Sequence, residues 1–178
     1  PGLPQAARIE PLPMTASLAR ALDERLLLVY TGQRRLAKNL LRAVMGRWMA
    51  RDPEMVAMLG EIAALAEAMR GALAAEDLDA FGGLVAQHWL INKRMDPGCS
   101  NPFIDDLLAF CAPYTVGAKL AGAGGGGFAL MVARDAAAAQ ALGEALARRF
   151  RDADAGRWEC AIADPAVVRE VAGCGDGG

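Results

Sequence analysis

Histidine is almost missing from this chain: His88 is the only one in 178 residues. With so few ligands of that type, a Cys/His zinc site is not expected. The four cysteines, Cys99, Cys111, Cys160 and Cys174, form no CxxC pair. That speaks against a redox dithiol or a zinc ribbon, and no metal site is assigned. They read as reduced thiols of a cytoplasmic protein. Aromatic residues make up only 6% of the sequence, too few to interleave with basic side chains as a nucleic-acid surface requires. Neither sign of charge dominates. The net charge is −2 and the isoelectric point about 5.5, so no global field draws in nucleic acid or an acidic membrane. No apolar run approaches the roughly 18 residues a transmembrane helix needs, and no signal-peptide pattern is present.

Apolar residues, by contrast, are plentiful. A hydrophobic content of 54% with 22% charged residues describes a globular chain able to build one core. The expectation is a single domain over residues 1–178, with its core at about 8–162 and frayed ends at 1–7 and 171–178. A chain that opens on Pro1 rather than methionine is expected to be an excised domain or a trimmed chain.

The most informative stretch is 117–133, Gly-Ala-Lys-Leu-Ala-Gly-Ala-Gly-Gly-Gly-Gly-Phe-Ala-Leu-Met-Val-Ala. Two short apolar segments flank four consecutive glycines, Gly124, Gly125, Gly126 and Gly127. Each ordered glycine gives up more conformational entropy than any other residue. Such a run implies either repeated positive φ or close approach of another group to the backbone. It reads as a plain strand-to-strand turn or as a loop whose N–H groups line a phosphate or substrate. It is not a Walker loop, since no Gly-Lys-Ser/Thr follows. It is not a dinucleotide fingerprint, since a strand rather than a helix follows.

Along the chain, Arg8 to Met14 reads as an edge strand, with Pro11 and Pro13 removing ladder donors. Thr15 to Asp23 reads as a short helical turn, and Leu26 to Thr31 as a buried strand ended by Gly32. Leu36, Leu40, Leu41, Val44 and Trp48 recur at the helical period and are expected to face a core. Asp52-Pro53 opens a second helix carrying Met55, Met58, Leu59, Ile62, Leu65, Met69 and Leu73. Asp77 caps a third with Leu78, Phe81, Val85 and Trp89, and Gly82-Gly83 threatens its continuity. Asp96-Pro97-Gly98 marks a turn, and Asn101-Pro102 opens a helix through Cys111. Segments 117–121 and 128–133 read as strands, Asp135 caps a helix with Leu142, Leu146 and Phe150 inward, and Trp158 to Ile162 reads as a last strand. Blocks of helices between strands, with one tight strand-to-strand link, predict an α+β sheet covered on one face.

Three stretches in this order resemble the GHMP small-molecule kinases: Leu26–Gly32, Trp89–Pro102 with its Lys93-Arg-Met-Asp-Pro-Gly98-Cys-Ser-Asn-Pro102, and the glycine-rich 117–128. Within that superfamily they look most like the L-fucokinases, in particular the kinase part of bifunctional fucokinase/GDP-fucose pyrophosphorylases; heptose-phosphate kinases share a looser version. The resemblance implies a ferredoxin-like antiparallel sheet with helices packed on one face. It also implies an activity, transfer of phosphate from Mg-ATP to the anomeric hydroxyl of L-fucose within GDP-fucose salvage. The family's N-terminal ATP loop has no match here. The chain is therefore expected to be the substrate-side C-terminal domain, inactive alone, binding no ATP or Mg2+ by itself. Its expected partners are a sugar and the missing N-terminal domain. The domain interface would be left bare and prone to self-association. Another GHMP sugar kinase, or a non-catalytic binding module on the same fold, is the alternative.

On this reading Gly122, Gly124, Gly125, Gly126 and Gly127 would let amides approach a phosphate or sugar hydroxyls, and Lys119 would add positive charge or simply face solvent. Thr31 and Gly32 form a rim or an N-cap, and Lys93 and Asn101 would line the sugar pocket. Arg34, Lys38 and Arg42 form a stripe that reads as a solvated face or an anion-facing or domain-contacting surface. His88 reads as a packed or surface residue rather than a catalyst. Trp89 reads as core before it reads as a sugar-stacking ring. Asp105 and Asp106, adjacent on a helix, point about 100° apart and make a poor carboxylate pair. No residue is assigned as catalytic.

Overall fold

Proline decides the start of the described fold. The computed structural model describes residues 11–33, 38–122, 124–150 and 156–158. Residues 11–14 of the expected edge strand are not strand, and 8–10 lie outside the described residues. Pro11 and Pro13 have no N–H to offer a ladder. Thr15 instead caps a full helix, α1 (Ala16–Arg25), where only a turn was predicted; its hydroxyl accepts from the Leu18 N–H at 3.0 Å. The same hydroxyl donates to Glu76, and Ser17 donates to the other Glu76 oxygen.

The strands are β1 (Leu26–Tyr30), β2 (Thr115–Leu120), β3 (Phe128–Ala133) and β4 (Gly156–Trp158). The last begins two residues before the expected strand and shares only Trp158 with it; residues 159–162 are outside the described ones. Their order across the sheet is β2-β3-β1-β4, all antiparallel. Strands β2 and β3 form a hairpin across the glycine loop, with Lys119 opposite Leu130 and Leu120 opposite Ala129. The chain crosses from β1 to β2 through α2 (Lys38–Met49), α3 (Pro53–Ala74), α4 (Leu78–Met95) and α5 (Pro102–Cys111), and from β3 to β4 through α6 (Ala136–Arg149). This is the predicted α+β, ferredoxin-like arrangement.

The main core occupies one face of the sheet. Leu27 and Val29 of β1, Ala129 and Met131 of β3 and Leu120 of β2 meet Ile104 and Leu107 of α5, Leu142 and Leu146 of α6 and Trp89 of α4. Strand periodicity sets this: alternate residues of β1 are buried and the intervening ones half-buried. Trp89 is thus core, not a stacking platform. A second cluster joins Leu18 and Leu22 of α1 to Leu78 of α4, and a third joins Met55 and Met58 of α3 to Ile91.

Two expectations about helices need correction. Gly82-Gly83 does not interrupt α4. Gly82 is where the helix closes on β2: a Cβ there would run into Val116, and a Cβ at Gly117 would run into the Gly82 carbonyl. A bulge between Thr115 and Gly117 accompanies this contact. The stripe on α2 also fails to face a core. Val44 packs toward Met55 and Met58, but Leu41 and Trp48 are exposed, with Met45 and Met49 beside them. The main described neighbour of α2 is α3, so one edge is covered and the rest of its apolar surface stays bare. Leu36 and Leu40 have no described side chain.

Candidate functional site: the glycine loop and its supports

The loop at 121–127 is shaped by φ and by what lies beneath it. Gly122, Gly124, Gly125, Gly126 and Gly127 all have positive φ, which side chains rarely adopt. Two neighbours also come within reach of the missing Cβ atoms. A Cβ at Gly124 would lie 2.6 Å from the Cys99 carbonyl oxygen, and one at Gly126 2.7 Å from that of Gln33. Both meanings of the glycine run therefore hold at once.

Those same carbonyls anchor the loop. The Gly125 N–H donates to Cys99 O at 2.5 Å and the Gly127 N–H to Gln33 O at 2.8 Å. Gly127 O in turn accepts from Thr31 N at 2.8 Å, and Ala121 N donates to Phe128 O at 2.7 Å. The N–H groups of Gly122, Gly124 and Gly126 have no acceptor among the described residues. The loop's amides thus divide into a set that holds it down and a set with no partner among the described residues.

Around the loop the structure gathers most of the sequence-predicted residues. Thr31 is fully buried, and its hydroxyl accepts from the Gln33 N–H at 3.3 Å. It makes a local turn rather than a cap on α2, whose described part starts at Lys38. Gly32 is exposed at φ +71°. Asn101 caps α5, accepting from Ile104 N at 3.1 Å, while its amide donates to Gln33 Oε1 at 2.8 Å. It positions Gln33 and hence the loop. Asp96 turns the chain into Cys99 by accepting from Gly98 N at 2.7 Å.

Lys93 lies to one side. It lines a cavity of about 530 Å³ between α4, α5 and the edge of β2, together with Trp89, Asp105 and Leu108. Asp105 accepts from the Ser100 hydroxyl at 2.8 Å. Lys119, on β2, is not a solvent-facing strand lysine. It is half-buried, and its Nζ sits 3.0 Å from His88 Nδ1 on α4. Burial lowers the pKa of Lys119; burial and then the neighbouring ammonium lower that of His88. Arg42 is exposed, and the side chains of Arg34 and Lys38 are outside the described ones. Cys99 and Cys111 are buried and free, their thiols pushed up by burial to about 11 and about 12. They are structural rather than nucleophilic.

Sequence reasoning missed Gln33 and Cys99. Both act through backbone carbonyls, which no side-chain pattern advertises. The contact between His88 and Lys119 was not legible either, since only the fold sets the two side by side. No group of three metal-ligating side chains occurs among the described residues.

The fold is a two-layer α+β arrangement whose β2–β3 hairpin, at one edge of the sheet, carries a glycine loop held by carbonyls from two other segments. Residues 56–152 match the family described as GHMP kinases C terminal, and the chain belongs to that family. It is 40% identical over 82% of its length to the bifunctional fucokinase/GDP-fucose pyrophosphorylase of Arabidopsis thaliana. It is 37% identical over 64% of its length to the L-fucokinase/L-fucose-1-P guanylyltransferase of Bacteroides fragilis. The chain spans 14% and 12% of the length of those two relatives. Among solved structures it resembles L. major mevalonate kinase in complex with R-mevalonate, with a TM-score of 0.65 at 22% identity, over 75% of this chain and 40% of that one. That likeness concerns the fold alone.

Proposed function

We propose that this chain is the substrate-side, C-terminal domain of an ATP-dependent sugar 1-kinase that phosphorylates L-fucose to fucose 1-phosphate. Residues 1–178 form that one domain, and the ATP-loop domain belongs to another part of the same polypeptide. The observation that carries the reading is the loop itself: the N–H groups of Gly122, Gly124 and Gly126 lack acceptors among the described residues, beside Lys119. The names of the two curated relatives point to fucose.

In the reaction a bond forms between the anomeric oxygen and the γ-phosphorus of ATP, and the phosphorus–oxygen bond to ADP breaks. Positioning and charge stabilisation supply most of the catalysis in such transfers. Here the free amides would take oxygens of the phosphate or the sugar, while Thr31, Gly32 and Asn101 hold the loop's supports in place. Lys93 faces the neighbouring cavity and Lys119 supplies positive charge. The proton acceptor, the ATP loop and the Mg2+ ligands belong to the remainder of the polypeptide, so the isolated chain has no kinase activity. The buried free thiols of Cys99 and Cys111 suit a reducing, cytoplasmic setting.

The bare stripe of Leu41, Met45, Trp48 and Met49 supports the expected self-association of the isolated domain. Sedimentation should show an oligomer that Trp48→Ser weakens; a strict monomer at all concentrations counts against it.

The deciding experiment compares this chain with the longer polypeptide that carries it. L-Fucose, a heptose phosphate and Mg-ATP are supplied, and the products are read by phosphorus NMR. Fucose 1-phosphate should form only with the longer polypeptide, and less of it with Gly122→Val. Phosphorylation of the heptose phosphate instead would assign the chain to another GHMP sugar kinase. No transfer to either by a folded protein would leave a binding module.

A further inference from the structure

Lys119 is held in an unusual way. The arginines that form ion pairs in the described structure do so with carboxylates: Arg25 with Asp79, Arg47 with Asp52 and Glu54, Arg70 with Glu67, Arg94 with Glu61 and Arg148 with Glu144. Lys119 has no carboxylate partner among the described residues; its ammonium meets a neutral base, His88 Nδ1, at 3.0 Å. Both residues are partly enclosed by the fold. Lys119 leaves β2 opposite Leu130 and is half-buried, and His88 is half-buried on α4 where Gly82 and Gly117 bring helix and strand together.

The protonation of the pair follows. Lys119 is a much stronger base than imidazole, so the shared proton stays on the ammonium and His88 Nδ1 accepts. The imidazole hydrogen is then on Nε2, which gives the pair a second donor. A carboxylate in place of His88 would neutralise the charge; a neutral acceptor orients it and leaves it intact. A half-buried cation so arranged, three residues before Gly122 and its free amide, suits an anion brought by a ligand.

We propose that His88 is the positioning residue of this site, holding the Lys119 ammonium uncompensated for a phosphate-type anion at the end of the glycine loop. The inference rests on the proposed function for its biological ligand, but the anion site lies wholly within this chain. A single charge-assisted contact of this kind changes affinity about tenfold.

The test is a titration of the chain with inorganic phosphate at constant ionic strength, read from the Lys119 side-chain and His88 ring NMR signals. Both should shift saturably with phosphate and not with chloride. Lys119→Met should remove the binding. His88→Phe, which lacks an acceptor, should weaken it about tenfold. His88→Asn, whose Oδ1 can replace Nδ1, should stay within about twofold of the unchanged chain. Unchanged phosphate affinity in a folded His88→Phe overturns the inference, as do equal losses in the Phe and Asn variants or no shift in the unchanged chain. Phosphate binding with this pattern, but no fucose phosphorylation by the longer polypeptide, would sink the proposed function and leave the anion site standing. The reverse result would sink the site alone.

Discussion

Alanine at Gly124 should cost several times what it costs at Gly122, although both glycines sit in one loop with similar backbone angles. Their φ values are +90° and +75°. Holding an alanine in the left-handed region costs about 1–2 kcal/mol, offset by about 0.4–1 kcal/mol because the unfolded chain also loses freedom. At Gly122 nothing lies within 4 Å of the added Cβ, so the net loss should be about 1 kcal/mol. At Gly124 the Cβ would lie 2.6 Å from Cys99 O and 2.7 Å from Cys99 Cβ. The obstructing atom is backbone, and the Gly125 N–H holds it at 2.5 Å. Relief requires the loop to lift. That adds an overpacking cost of about 1–3 kcal/mol and about 1 kcal/mol for the strained or lost hydrogen bond. A loss of roughly 3–5 kcal/mol is expected, enough to lower the melting temperature by on the order of 10 °C in a chain of this size, against a few degrees for Gly122→Ala. Urea and thermal unfolding followed by circular dichroism would measure both. A difference below about 1 kcal/mol would refute the reasoning, because it would mean that the loop does not rest on the Cys99 carbonyl.

The contact between α4 and β2 makes a similar pair. Gly117→Ala drives a Cβ into the Gly82 carbonyl, while Gly83→Ala meets nothing within 4 Å; chemical denaturation should show the first losing 3 kcal/mol or more, roughly, and the second gaining about 1 kcal/mol from helix propensity. Stability should also fall with acid through His88. Its folded pKa lies below the ordinary 6.5 because burial and Lys119 disfavour its charge, so the unfolded chain takes up the proton first. The contribution is complete above pH 6.5 and is lost as pH falls through the lowered folded value. His88→Asn should flatten that part of a plot of denaturation midpoint against pH; an unchanged slope would show that His88 titrates normally.

Local signals translated well where short-range chemistry decides. Asp52, Asp77, Asn101 and Asp135 each cap the helix they precede, their side chains accepting from N–H groups two or three residues on. Pro53 and Pro102 open their helices. The strand at β1 and the hairpin around the glycines followed from pattern alone; the alternating burial of β1 did not, because all five of its residues are apolar. The failures lie where one element must find another. Leu41 and Trp48 carry a helical period, but a period states only which residues share a face, not whether anything covers it. Gly82 looked like a weakness in a helix until Gly117 was placed against it.

The sequence by itself determined most of the elements, the caps of four helices, the glycine loop and, through its three stretches, the family. These depend on residues close together in the chain, where backbone sterics and hydrogen-bond geometry leave few choices. The tertiary structure alone decided which loop amides are spent and which remain. Gln33 and Cys99 are brought beneath the loop from separate segments, and their carbonyls consume the N–H groups of Gly127 and Gly125. It alone set His88 beside Lys119, across 31 residues of sequence. A side chain's charge is written in its identity, but whether that charge is compensated depends on what the fold places beside it.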